Sequence, residues 1–318
     1  MINGIININK ESGYTSHDVV AKLRGITKQK KIGHTGTLDP DARGVLPICF
    51  GKATKVCDLL TNQDKIYVTT LLLGKTSDTQ DISGKILSKQ DTSFLTKEMV
   101  KECIQSFQGE SKQIPPMYSA IKFKGKKLYE LAREGIEVER KSRKIFIHHI
   151  NILATDIPRV KIEIKCSKGT YIRTICHDIG EKLGCGGLME DLLRTEVGQF
   201  NLSESITIDE FREVFLAGKL EQVLLKIDSV FMSYPKVYVK RGYEVTAYNG
   251  NILTSQMFMS EGELQSEHPI DVTSEVISTE DRVRLYDCFQ NFIGIYRVIR
   301  SAKEREKLKV EKMFYDAG

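Results

Sequence analysis

No apolar run in the 318 residues approaches the length that spans a bilayer. The amino terminus, MINGIININKESGYTS, also lacks the basic-then-apolar order of an export signal. Neither insertion nor export is expected, and the chain reads as cytoplasmic. Paired cysteines are missing as well. The seven cysteines, at 49, 57, 103, 166, 176, 185 and 288, are odd in number and never fall in C-x-x-C spacing, which speaks against a disulfide framework or a zinc ribbon. The six histidines occupy no H-E-x-x-H frame, so no metal site is expected. There is no internal repeat and no low-complexity tract. Nor is there a large excess of one charge: net +5 with a pI near 8.6 permits a polyanionic partner without requiring one.

What is present is the composition of a folded chain, with 41% apolar and 28% charged residues. The length exceeds one compact core, so two domains are expected. Basic residues concentrate from Lys122 to Lys144, where Lys122, Lys124, Lys126, Lys127, Arg133, Arg140, Lys141, Arg143 and Lys144 outnumber four glutamates. Charge alone favours a solvated face, with a phosphate-facing surface as the alternative.

The pattern of residues predicts a strand over Gly4 to Asn9 and a helix from His17 to Leu23 capped by Ser16. A β-branched strand follows at Lys65 to Leu73, then a Thr96-capped helix with Met99, Val100, Cys103, Ile104 and Phe107 on one face. Further on, a helix is predicted from Lys127 to Arg133, strands at Ile145 to Ile152 and Val160 to Cys166, and a helix from Tyr171 to Leu183. The order is α+β in style. Pro235 in Ser-Tyr-Pro-Lys marks the domain boundary, giving domains 1–234 and 235–318. Short segments at Val237 to Val239, Val283 to Tyr286, Phe292 to Arg297 and Leu308 to Phe314 make the second β-rich.

Several motifs fail on inspection. Gly74-Lys75-Thr76 ends like a P-loop but has Thr69 where the first glycine belongs. Asp39 to Gly44 has an EF-hand flavour, yet Arg43 and Phe50 stand at ligand positions. Cys166 and Arg173 are too far apart for a cysteine phosphatase.

The stretch KIGHTGTLDPDARGVLPICFGKATK, Lys31 to Lys55, sets four glycines around one Asp-Pro step. Proline biases Asp39 towards an extended conformation that presents its carboxylate. By itself this is also ordinary turn chemistry. GHTGTLDP with GVLPICFGKATK resembles the active-site signature of the TruB family of tRNA pseudouridine-55 synthases. GIININKESGYTSHDVVAKLR, QIPPMYSAIKFKGKKLYELAREG, CSKGTYIRTICHDIGEKLGCGG and DLLRTEVGQF resemble its other motifs, in order, across residues 3 to 200.

The resemblance implies a catalytic domain with a mixed or antiparallel sheet and flanking helices, followed by a small PUA-like RNA-binding module. It implies isomerisation of uridine 55 in the T loop of tRNA, on a flipped-out base, without a cofactor or a metal. Asp39 is then the catalytic carboxylate, acting either as nucleophile on the anomeric carbon or as base at the ribose C2′. Arg173 is its counter-ion and Tyr171 lies beside the base. Tyr67 stacks on the uracil, His34 holds the opened loop and Leu192 lines the pocket wall. The partner is the tRNA T stem-loop and the enzyme is expected to be a monomer. A non-catalytic RNA binder would have no use for Asp39 and Arg173 together, and an RNA N-glycosidase would release free uracil. The stretch from Glu261 to Asp281, long and acidic, matches nothing.

Overall fold

The computed structural model describes residues 1–261, 282–301 and 304–315, so the acidic stretch after Glu261 lies outside the described residues. The chain divides into two compact units, one of Ile6–Cys49 with Val56–Val223, the other of Met1–Ile5, Phe50–Lys55 and Leu224–Gly318. Among the described residues no helix is long and apolar enough to cross a membrane.

The larger unit is built on a nine-stranded sheet. Its strands run in the order Gly4–Lys10, Arg43–Phe50, Gly187–Val197, Lys65–Leu73, Arg159–Cys166, Arg143–Asp156 and Gly109–Gln113, with two short strands attached at the side. Gly187–Val197 pairs parallel with Arg43–Phe50 and antiparallel with Lys65–Leu73, so the sheet is mixed. The sheet forms because its central strands are dense in β-branched and aliphatic residues whose alternate side chains bury on one face. Lys65–Leu73 and Arg159–Cys166 show that alternation directly. Helices Lys97–Gln105 and Ile172–Lys182 cover it, joining Val100, Ile104, Ile175 and Ile179 to Leu71, Ile147, Ile162 and Ile164 in one apolar core. The second helix sits so low that a Cβ on Gly180 would meet the Gly187 nitrogen at 2.0 Å, which only a hydrogen there allows.

The expected helices and strands occur, with corrections at their edges and faces. The cap of the first helix, Ser16–Thr27, is Thr15, which forms a reciprocal box with Asp18. Ser16 is instead buried inside the first turn, where its hydroxyl accepts from the Leu38 N–H at 2.9 Å. Met99, expected on the buried face of Lys97–Gln105, is 43% exposed. Two central strands, Arg43–Phe50 and Gly187–Val197, are absent from the sequence-based expectation: the first is buried at seven of its eight positions and shows no alternation, and the second has its alternation broken by register shifts at Met189/Asp191 and Arg194/Glu196.

The smaller unit carries its own six-stranded sheet, ordered Leu253–Thr254, Glu304–Met313, Phe292–Ser301, Arg282–Tyr286, Lys236–Val239, Phe258–Ser260. Its core gathers Val237, Val239, Leu253, Val283, Leu285, Ile293 and Tyr296, a β-rich module of the kind expected.

Candidate active site

Asp39 lies in the loop between Ile32–His34 and Arg43–Phe50, and its neighbours hold that loop at fixed points. Lys10, fully buried, donates through Nζ to the carbonyls of Pro40 at 2.9 Å, Tyr14 at 2.6 Å and Glu11 at 2.9 Å. The Leu38 N–H is held by Ser16 from the other side. The second residue of the strand after the loop is Gly44, where φ is +104° and a Cβ would lie 2.1 Å from the Arg194 carbonyl oxygen. No other residue fits there. Asp39 is thus set between two anchored flanks, with its side chain 41% exposed.

Arg173 stands at the start of the Ile172–Lys182 helix and is only 5% exposed. Its Nε lies 3.1 Å from one Asp39 oxygen and Nη2 donates to the other at 3.4 Å, a forked pairing. The remaining donors are also used. Nη1 reaches the Thr79 carbonyl at 3.1 Å and the Asp81 carboxylate at 3.3 Å, and Nη2 reaches the Tyr118 carbonyl at 2.8 Å. Asp81, which sequence reasoning missed, is a second counter-ion. It is fixed in turn by the Thr79 hydroxyl and by the N–H and hydroxyl of Ser83. In the sequence it looks like any turn aspartate after a strand.

Burial lifts the Asp39 carboxyl above its ordinary range, against the opposing pull of Arg173, with Asp81 adding to the rise and Lys10 resisting it. The same burial lowers the Lys10 ammonium to about 8, although Asp39 favours its charge. The carboxylate is therefore held partly desolvated beside a guanidinium, the condition for a reactive anion.

Tyr67 and Leu192 lie on neighbouring strands and share a core cluster with Leu38 and Ala42, the apolar residues on either side of Asp39. Tyr171 caps the helix that carries Arg173. Its backbone is clamped by Gln113, which accepts from the Tyr171 N–H at 2.8 Å and donates to its carbonyl at 3.0 Å. The structure shows no hydrogen bond between Tyr171 and Asp39; they are linked through Arg173, two residues along. His34 sits at the loop's entry, its Nδ1 accepting from the Gly36 N–H at 3.3 Å and its ring set edge-on to His17 at 5.1 Å. Burial and the nearby His17 depress its pKa, which keeps the ring neutral. Arg194, also missed, lies opposite Tyr67 on the adjoining strand. It is 1% exposed, with Nε donating to the Val45 carbonyl at 2.7 Å and Nη2 lacking a partner.

The mixed sheet and its covering helices thus bring together a forked Asp39–Arg173 pair, an arrangement suited to carboxylate chemistry. Residues 24–172 match the TruB family pseudouridylate synthase N-terminal domain and residues 173–232 the tRNA pseudouridylate synthase B C-terminal domain. The chain is 48% identical to a tRNA pseudouridine synthase B of Lachnoclostridium phytofermentans over 93% of its length and 95% of the relative's. It is 44% identical to the protein of that name from Alkaliphilus oremlandii, covering 99% of both. Among solved structures, a Cbf5-Nop10-Gar1 complex contains a chain with TM-score 0.68 and 25% identity, matched over 98% of this chain and 85% of that one. This chain belongs to the TruB family of pseudouridylate synthases.

Proposed function

We infer that this enzyme isomerises uridine to pseudouridine at position 55 in the T loop of tRNA, with Asp39 as the catalytic carboxylate. The observation that carries the assignment of Asp39 is its forked pairing with the buried Arg173, at 3.1 and 3.4 Å, on a loop anchored at both flanks. The reaction breaks the bond between ribose C1′ and N1, turns the base, joins C1′ to C5 and releases the C5 proton, while N1 takes up a proton in its place. Redox balance is unchanged, so the chemistry calls for no cofactor. An ionised carboxylate serves either route, by adding to C1′ or by taking the C2′ proton, and Arg173 favours the charged form against the burial that opposes it.

Tyr67 offers its ring as the stacking platform for the flipped uracil and Leu192 forms the adjoining wall. Tyr171 stands near the C5 proton to be lost, and neutral His34 supports the opened loop. Residues 235–318 act as the RNA-binding module that follows a catalytic domain of residues 1–234. The T stem-loop is the recognised part of the tRNA, and the enzyme works as a cytoplasmic monomer.

The test uses unmodified tRNA transcript labelled at uridine C5. Wild type is expected to release the label and leave pseudouridine at position 55, whereas Asp39→Asn binds the tRNA and releases none. Free uracil would point to a glycosidase and the absence of both products to a binder. An Asn variant within about tenfold of wild type, only about 1.4 kcal/mol of barrier, would remove Asp39 from the mechanism.

A further inference from the structure

Most of the basic residues between Lys122 and Lys144 whose contacts are defined are occupied. Lys126 pairs with Glu134, Arg140 with Glu137 and the Pro115 carbonyl, and Lys144 with Glu110 at 2.9 Å. Lys124, Lys127 and Arg133 lie against the rings of Phe123 and Tyr129, neither of them a candidate site residue. Arg143 is different. It opens the Arg143–Asp156 strand opposite Gln113, the residue that clamps the Tyr171 backbone on both sides. Its guanidinium lies over the Tyr171 ring, 5.8 Å from the centroid. A Cβ on Gly169 would sit 3.2 Å from its Nη1, so that glycine leaves the space the guanidinium occupies. Among the described residues, no carboxylate and no hydrogen-bond acceptor engages the side chain, and it is half-buried with access to solvent.

A guanidinium with one face on an aromatic ring and its donors unused is preorganised for a planar, bidentate acceptor. We propose that Arg143 binds a backbone phosphate flanking the target uridine, holding that nucleotide while its base lies against Tyr171. The proposal rests on the placement of the target beside Asp39 and Tyr171. An RNA phosphate offers two non-bridging oxygens that a guanidinium can take as a fork, and the partially covered guanidinium loses less hydration on binding it than a free lysine would.

The test measures affinity and single-turnover rate for a T-arm stem-loop RNA, with the full chain and with Arg143→Gln and Arg143→Lys. Arg143→Gln is expected to weaken binding about tenfold at low salt, the scale of one charge-assisted bidentate contact. It is also expected to lower the slope of log affinity against log salt by about 0.7 to 0.9, one phosphate's worth. The rate at saturation stays within about twofold of wild type, and Arg143→Lys restores the salt slope but not the full affinity. Neutral methylphosphonate linkages placed on either side of the target uridine locate the contact: one of them weakens binding by wild type and not by Arg143→Gln. Equal weakening of both proteins, or an unchanged salt slope, overturns the proposal. So does a slower rate at unchanged affinity, which would make Arg143 a brace for Tyr171. Failure of the underlying placement shows separately, as turnover by Asp39→Asn.

Discussion

Arg173 spreads its guanidinium over two carboxylates and two carbonyls, with four hydrogen bonds from its Nη atoms and its Nε 3.1 Å from an Asp39 oxygen. Lysine carries three donors on one nitrogen and cannot reproduce that fork. Arg173→Lys is expected to lower kcat/KM by at least about 100-fold, the scale of two lost charge-assisted bonds at about 1.5–3 kcal/mol each. Affinity for tRNA should hold within about threefold, since phosphate contacts are spread over many residues; a large loss of affinity with intact kcat would reassign the residue to binding. The raised pKa of Asp39 gives a second expectation. The unfolded carboxyl titrates near 3.8, the folded one higher because of burial, so the unfolded state ionises first and this group's contribution to stability falls as pH rises through that window. Above it the penalty is constant. Asp39→Asn removes the penalty and leaves Arg173 with Asp81 and two carbonyls, so at pH 7 its melting temperature should be no lower than that of wild type, with the gap closing below about pH 4. For the same reason the acid limb of kcat/KM should lie above the ordinary carboxylate value. Asp39 and Arg173 were legible in the sequence because their motifs are long and ordered. Asp81, Lys10 and Gln113 were not, since each works through a contact that only folding creates.

At the level of elements, the clearly alternating strands were readable and the continuously buried Arg43–Phe50 was not. Lys65–Leu73 shows its period in the sequence, whereas Arg43–Phe50, buried at seven of eight positions, reads as an apolar run after a loop. The helix caps were readable in kind but not always in position, because Thr15 and Ser16 are both good caps and only packing against Leu38 selects between them. The close approach at Gly44 makes a firm prediction. Alanine there combines a positive φ with a contact at 2.1 Å to the Arg194 backbone, so the strand that follows the Asp39 loop must shift. Gly44→Ala should cost more than about 2 kcal/mol, well above the usual price of an unfavourable φ alone, and should reduce turnover along with the melting temperature. A variant with wild-type melting and activity would show that the loop and its strand are not coupled.

On the scale of the whole chain, the residues assigned to chemistry lie between His34 and Leu192, within the larger unit. Removing residues 236–318 is therefore expected to weaken binding of full-length tRNA while single-turnover conversion at saturating RNA persists. Filter binding across a salt series checks the first part, and a folded truncation with wild-type affinity would mean the β-rich module has another purpose. The domain order was legible from the switch from mixed elements to short strands after Pro235, whereas the grouping of residues 1–5 and 50–55 with the carboxy-terminal unit depends on contacts between distant segments. The Arg173 junction also has a consequence in time. It joins the loop at Asp39, the turn at Asp81 and the Tyr118 carbonyl to a residue made after all of them, 134 positions beyond Asp39. On the ribosome, at about 5–20 residues per second, the two carboxylates wait roughly 5–30 seconds for the cation that joins them. The site cannot close before residue 173 is made, and a nascent chain halted short of it carries the signature loop without the contact that ties it to the Asp81 turn.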